Sequence, residues 1–99
     1  MRKVVIRPQA RLDLLEIWHH IAKNSIDAAN RTSEKLTAAI RDLAPMPGKG
    51  HTRSDVDDPR YRFWAVKPYV IAYRYDDKTL TVERVVHGHR DFRRVFKRE

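Results

Sequence analysis

Hydrophobic residues recur at three- and four-residue steps through the first half of the chain, in two segments separated by a short polar break. This period is typical of amphipathic α-helices. The first segment predicts a helix over about residues 9–23, after Pro8, which suits a first helical turn. Its apolar stripe comprises Leu12, Leu15, Trp18, Ile21 and Ala22.

The second segment predicts a helix that ends near residue 43, with Ser25 as its N-cap. Its stripe comprises Ile26, Ala29, Leu36, Ala39, Ile40 and Leu43. Because the break between the helices is short, we expect an antiparallel α-hairpin whose stripes meet over one face of a sheet. The side chains expected to pack together are Leu12, Leu15, Trp18 and Ile21 on the first helix and Leu36, Ala39, Ile40 and Leu43 on the second.

Short β-branched and aromatic segments flank the hairpin and predict four strands. The first is residues 3–7, which Pro8 ends. The other three are residues 61–67, 69–75 and 79–87, the last two joined by a turn at 76–78. Residues 44–60 hold three of the five prolines and two of the three glycines, which predicts a long loop. Residues 90–98 predict a short basic helix with Phe92 and Phe96 on one face.

This order of elements predicts an α+β fold in a single domain over residues 1–99. The hairpin packs on one face of a small, mainly antiparallel sheet, and a short basic helix ends the chain. The first strand is distant in sequence from the others. We therefore expect it at an edge of the sheet, beside a later strand.

Composition narrows the functional classes. Of 99 residues, 41% are hydrophobic and 34% charged, as in ordinary globular domains, and no apolar run is long enough to cross a membrane. The absence of cysteine excludes disulfides, thiolate metal sites and a cysteine nucleophile. The apolar run near the N-terminus is only three residues, which argues against a secretory signal. We therefore expect a cytoplasmic protein without membrane association.

Positive charge is concentrated at the two ends of the chain. The net charge is +8, of which residues 1–8 carry +3 and residues 84–99 carry +4, whereas residues 9–60 are neutral. Such a field favours an acidic protein, nucleic acid or an anionic surface as partner. Six of the nine aromatic residues lie in 61–75, where they suit either a sheet packed under helices or stacking on bases. The sheet interpretation is preferred, and direct nucleic-acid binding stays a secondary expectation.

The densest polar cluster follows the last predicted strand and comprises His87, His89, Arg90 and Asp91. A ribonuclease could use an imidazole as general base and arginines to stabilise charge on the phosphate. The residues available for that role are Arg62, Arg74, Arg84, His87 and His89. The alternative is that His87 ends the strand and the polar residues satisfy backbone groups at the next turn. Structural or binding roles are preferred over catalysis.

A metal site at this cluster is not expected. His87 and His89 face the same way in an extended chain, but no third ligand is evident beyond Asp91 or His51. No motif in the sequence predicts a cofactor.

The motifs together resemble ParE-type toxins of the RelE/ParE superfamily. The first helix, from Pro8 to Ile21, is similar to the opening helix of that family, and residues 44–51 are similar to its proline–glycine connector. Residues 69–75 and 84–91 resemble its last two strands and the following turn. The resemblance extends from about residue 3 to residue 96.

This resemblance implies a bacterial type II toxin that a small antitoxin neutralises. ParE-like members are known as poisons of DNA gyrase, and RelE-like members as ribosome-dependent mRNA endoribonucleases. The long amphipathic hairpin, and the lack of a tyrosine after Gly88, favour the ParE branch and therefore a gyrase inhibitor that is not an enzyme. The alternatives are the nuclease, and a degenerate or regulatory member of the family.

The resemblance also implies an acidic, ParD-like or other ribbon-helix-helix antitoxin. The strongly basic chain would attract such a partner over long distances. Phe92 and Phe96 need apolar neighbours, which makes them candidate anchors for the antitoxin. The predicted antitoxin-binding residues are Trp64, Arg90, Phe92, Arg93, Arg94 and Phe96.

Overall fold

The computed structural model describes residues 2–96, and it has the predicted α+β architecture. The part of the predicted C-terminal helix at residues 97 and 98 lies outside the described residues. The elements are β1 (Lys3–Ile6), α1 (Pro8–Ala22), α2 (Ile26–Leu43), a short 3₁₀ turn (Pro47–Lys49), β2 (Arg62–Val66), β3 (Tyr69–Tyr75), β4 (Thr79–His87) and α3 (Phe92–Val95).

The four strands form one mixed sheet in the order β1-β4-β3-β2. The predicted edge position of β1 is confirmed, and β1 runs parallel to β4 while β2, β3 and β4 are antiparallel. Ser25 is the N-cap of α2, as predicted, because its hydroxyl accepts a hydrogen bond from the Ala28 N–H at 3.1 Å.

The main core lies between the hairpin and one face of the sheet. Its fully buried members include Leu36 and Leu43 from α2, Ile71 and Tyr73 from β3, and Leu80 from β4. Helix α2 therefore buries the stripe that its sequence predicts. Ile26, the first residue of α2, is the exception at 60% exposed.

The predicted packing face of α1 is wrong at two positions. Leu12 and Leu15 are 50% and 53% exposed. The buried face is instead the neighbouring stripe at Ala10, Asp13, Leu14, Ile17 and Ile21, of which only the last was predicted. Both stripes have helical spacing. In the folded protein, α1 buries the stripe that places Asp13 against the sheet.

Trp18 is half-buried between the two helices rather than at the centre of the core. Its indole N–H donates to Asn30 Oδ1 at 2.9 Å, and it borders a groove with Leu14 and Ser33. It therefore stabilises the hairpin near its surface.

A second core covers the opposite face of the sheet. It consists of Val56, Phe63, Ala72, Val86 and Phe92, so the loop before β2 and α3 both pack on this face. Within the described residues, no helix is long and apolar enough to span a bilayer.

Candidate functional site

Strand β4 is longer than its parallel partner, and this difference creates the most polar part of the fold. The last β1–β4 pair is Ile6 with Val82, so residues 83–87 extend beyond the end of β1. Pro8 starts α1 at this point, and the helix passes beside the uncovered edge of β4. Polar groups of α1 and β4 therefore meet where the strand has no neighbouring strand.

Asp13 fills this uncovered edge. Its side chain is 6% exposed and accepts hydrogen bonds from Arg84 Nε at 2.7 Å and Arg84 Nη2 at 3.1 Å. It also accepts one from the Val85 N–H at 3.0 Å, a backbone donor that β1 is too short to satisfy. The hydrogen bond to Asp13 raises the pKa of the Arg84 guanidinium above its usual value. This guanidinium is therefore committed to a structural pair.

Two further arginines that were considered for RNA cleavage also have partners within the chain. Arg74 donates to Glu83 Oε2 through Nε at 3.2 Å and Nη2 at 3.0 Å. Arg62 donates to the Gly50 carbonyl oxygen at 3.0 Å. The arginines suggested by the sequence thus neutralise internal carboxylates or hold the loop before β2.

The two candidate histidines do lie together. The rings of His87 and His89 stack with centroids 4.9 Å apart, and His87 Nδ1 accepts a hydrogen bond from the His89 N–H at 3.1 Å. The rings of Tyr69 and His87 are nearly perpendicular, with centroids 5.8 Å apart. Among the described residues, no group of three or more histidines, aspartates or glutamates is arranged to hold a metal ion.

The registers of the sheet separate these histidines from Arg74. His87 pairs with Tyr69, whereas Arg74 pairs with Thr81 at the other end of β3. Tyr69 and Arg74 are five positions apart, which corresponds to about 17 Å of extended strand. The five residues considered for RNA cleavage therefore do not converge on one phosphate.

The residues predicted to bind an antitoxin are in different environments. Trp64 is half-buried on the hairpin side of β2, with Lys49 Nζ 4.7 Å from its ring centroid and His51 stacked beside it at 6.4 Å. Three basic residues are exposed around α3, namely Arg90, Arg93 and Arg94. The role of all six residues in binding remains a prediction.

The two phenylalanines find their apolar neighbours within the chain. Phe92 is 1% exposed and lies under the Arg53 guanidinium, 3.8 Å from the ring centroid. Phe96 is half-buried against Tyr61 and Phe63, with ring centroids at 5.2 and 5.5 Å. Phe92 therefore belongs to the second core, and only Phe96 keeps part of its ring at the surface.

Sequence reasoning missed Asp13 because a single acidic residue in an amphipathic helix usually faces water. One signal was present. Asp13 shares a helical face with Ala10, Leu14 and Ile17, which form a second apolar stripe. An acid in the middle of an apolar face predicts a buried partner.

Comparisons with known proteins agree with this architecture. The family model described as ParE toxin of type II toxin–antitoxin system, parDE, matches residues 4–92. No curated protein sequence matches significantly.

Solved structures of the same fold include proteins from P. aeruginosa and E. coli. The structure of the chromosomal ParDE toxin–antitoxin system from P. aeruginosa superposes with a TM-score of 0.73 at 18% identity, over 88% of this chain and 96% of that chain. The structure of the E. coli DinJ–YafQ complex superposes with a TM-score of 0.60 at 22% identity, over 89% of this chain and 94% of that chain. The structure of YafQ from E. coli strain BL21(DE3) superposes with a TM-score of 0.57 at 23% identity, over 88% of this chain and 93% of that chain.

At these identities, the solved structures establish a shared fold. The family model shows the family as well, because it matches residues 4–92, from β1 to the start of α3. The chain belongs to the ParE toxin family of type II toxin–antitoxin systems.

Proposed function

We propose that this protein inhibits DNA gyrase through protein–protein binding, in the cytoplasm, and that an acidic antitoxin neutralises it. The observation that supports inhibition by binding is the dispersal of the candidate catalytic residues along the sheet. Metal-free RNA cleavage needs a base, an acid and a cation within hydrogen-bond reach of one phosphate. About 17 Å of strand separates His87 from Arg74, and Arg84 is bound to Asp13.

Inhibition by binding requires only an exposed surface, and the long hairpin and the basic tail supply one. Membership in the ParE family favours gyrase as the target. One observation favours the competing function, ribosome-dependent mRNA cleavage. The imidazoles of His87 and His89 are adjacent, and Arg90 follows them at the surface.

Two assays of the purified protein separate these functions. We expect inhibition of gyrase supercoiling and no new mRNA ends on translating ribosomes. The variant that combines His87→Ala with His89→Ala should inhibit gyrase as the wild type does, and His19→Ala, which removes an exposed imidazole from α1, is the control. If the wild type cleaves mRNA and the double variant does not, the nuclease function is correct and ours is wrong.

Neutralisation by an antitoxin is supported by the charge of +8 and by the exposed arginines around α3. The P. aeruginosa relative was solved as a ParDE toxin–antitoxin system and the E. coli relative as a DinJ–YafQ toxin–antitoxin complex. We propose that the partner of this chain is a small acidic protein encoded in the adjacent reading frame.

Its association rate should fall as salt rises, because charge steering is screened over about 10 Å at 0.1 M ionic strength. Replacing Arg90, Arg93 and Arg94 with alanine should slow association more than a matched change on the hairpin. The control replaces three exposed basic residues of α2, namely Arg31, Lys35 and Arg41. If both triple variants slow association with the antitoxin equally, the arginines around α3 have no special role in attracting it.

A further inference from the structure

A cleft of about 590 Å³ separates the start of α1 from the C-terminal tail. Of the residues considered for RNA cleavage or antitoxin binding, only Arg84 and Phe96 line it. Its size is within the range of sites that bind small ligands or peptide side chains. We call it the α1–tail cleft. The lining residues used below are Arg7, Leu12, Arg60, Tyr61, Glu83 and Phe96.

Two guanidinium groups at its rim are open to solvent. The Arg7 side chain is 57% exposed, and its nearest carboxylate contact is Glu83 Oε1 at 3.9 Å. Glu83 is itself only 12% exposed and bonded to Arg74 at 3.0 Å. The Arg60 side chain is 64% exposed and uses Nε and Nη2 to bind Asp58, which leaves donors on Nη1. A carboxylate that arrives from outside would therefore find free donors on both arginines.

Part of the wall of the cleft is apolar. Leu12 is half-exposed, and the rings of Tyr61 and Phe96 stand 5.2 Å apart with part of each surface open. The exposure of Leu12 follows from the rotation of α1 that buries Asp13. An isolated leucine at the surface needs no explanation, but here it lines the same concave site as two aromatic rings and two exposed basic groups.

We propose that the α1–tail cleft binds an acidic peptide segment that inserts one leucine- or phenylalanine-sized side chain between Leu12 and Phe96. Carboxylates flanking that side chain pair with Arg7 and Arg60. The occupant is a segment of the antitoxin, so this inference rests on the proposed neutralisation and specifies its location. The argument for an acidic occupant is charge complementarity. The lining holds three arginines (Arg7, Arg60 and Arg84) against two carboxylates (Asp58 and Glu83), in a chain of net charge +8.

The test uses the full chain and a defined probe, the peptide Glu-Asp-Glu-Leu-Glu-Asp-Glu with blocked ends, titrated at low salt and followed by ¹H–¹⁵N NMR. We expect shifts centred on Leu12, Tyr61 and Phe96. Substituting the central leucine of the peptide with serine should weaken binding about fivefold or more, and replacing its acids with lysines should abolish it.

The chain itself offers matched controls. Leu12→Ser should weaken binding about fivefold or more, whereas Leu15→Ser should leave it unchanged. Leu15 is equally exposed on the same helix, but it borders a different groove. Arg7→Ser should weaken binding more than Arg11→Ser, which removes an exposed guanidinium from the other side of α1. These surface changes leave both cores intact, and a dispersed spectrum verifies this.

Equal effects of Leu12→Ser and Leu15→Ser, or equal binding of the leucine and serine peptides, would overturn the proposal. Cleft shifts that appear without peptide as protein concentration rises would assign the cleft to a second copy of the chain, and would also overturn it. The assay contains neither gyrase nor the antitoxin. Its failure is therefore distinct from a failure of the gyrase assay, or from lack of binding by the adjacent gene product.

Discussion

Asp13 and Arg84 are 71 positions apart in sequence and form a two-point ion pair, with Arg84 Nε 2.7 Å from Asp13 Oδ2 and Nη2 3.1 Å from Oδ1. The same carboxylate accepts the Val85 N–H at 3.0 Å. Three donors of β4 thus converge on one side chain of α1. This pair positions the hairpin against the sheet at the point where β1 ends.

Asp13→Ala should lower the free energy of unfolding by about 3 kcal/mol, because it leaves a partly buried guanidinium and a buried N–H without their acceptor. Urea denaturation measures the loss. Glu34→Ala, which removes an exposed carboxylate from α2, should change the stability by less than about 0.5 kcal/mol. A loss below about 1 kcal/mol for Asp13→Ala would show that water replaces the carboxylate at this edge.

Gly50→Ala should destabilise the protein by about 1–3 kcal/mol through overpacking. A Cβ at this position would overlap the Tyr73 hydroxyl oxygen and lie 2.9 Å from two carbons of that fully buried ring. The Gly50 N–H also donates to this hydroxyl at 3.0 Å. Gly48→Ala is the matched control, because its Cβ would make an ordinary 3.6 Å contact with Tyr75. Equal thermal midpoints for the two variants would contradict this account.

Phe92→Ala should cost about 3–5 kcal/mol, the range for a buried aromatic side chain. It removes the centre of the second core and the ring beneath the Arg53 guanidinium. The exposed neighbour Arg93 provides a control, since Arg93→Ala should be close to neutral in the same denaturation experiment. If Phe92→Ala is also neutral, the tail does not pack on the sheet, and Phe92 becomes available to a partner.

Acid should weaken the β3–β4 turn. Asp76 Oδ1 accepts hydrogen bonds from the backbone N–H groups of Lys78 at 2.9 Å and Thr79 at 2.8 Å, and these bonds lower the pKa of Asp76. Because the folded pKa lies below the unfolded one, the stabilisation is present above about pH 4 and is lost as pH falls through the folded value.

The measurement is the difference in unfolding free energy between pH 6 and pH 3. Asp76→Asn keeps an acceptor oxygen but does not titrate, so it should lose less stability over this interval than the wild type. Asp77→Asn changes the adjacent exposed carboxylate and should behave as the wild type does. An unchanged acid-induced loss in Asp76→Asn would refute the role of this carboxylate.

Most of the fold could be predicted from local patterns. The bounds of β3 and β4 agree with the strand periodicity, and Ser25 caps α2 as its side chain predicts. These features depend on residues close together in sequence, where backbone preference and side-chain period act directly. The edge position of β1 also followed, because a strand separated from its partners by a hairpin joins a sheet most simply at its side.

The candidate site was less predictable. Arg74 and Arg84 are strand arginines of similar appearance in the sequence, yet their guanidinium groups bind Glu83 and Asp13 respectively. The acceptor of Arg84 is on another element, so local pattern could not identify it. Phe92 and Phe96 were correctly recognised as needing apolar contacts, but the sequence did not show that the sheet supplies them.

The amino-acid sequence by itself determined the element order, the α+β class, the stripe of α2 and the basic ends of the chain, because periodicity and charge are local properties. Only the tertiary structure decided which of two apolar stripes α1 buries. Burying Asp13 satisfies Arg84 and the Val85 N–H, and turns Leu12 outward into the α1–tail cleft. The physical reason is that a buried carboxylate is tolerated only where donors surround it, and those donors lie 71 and 72 positions away.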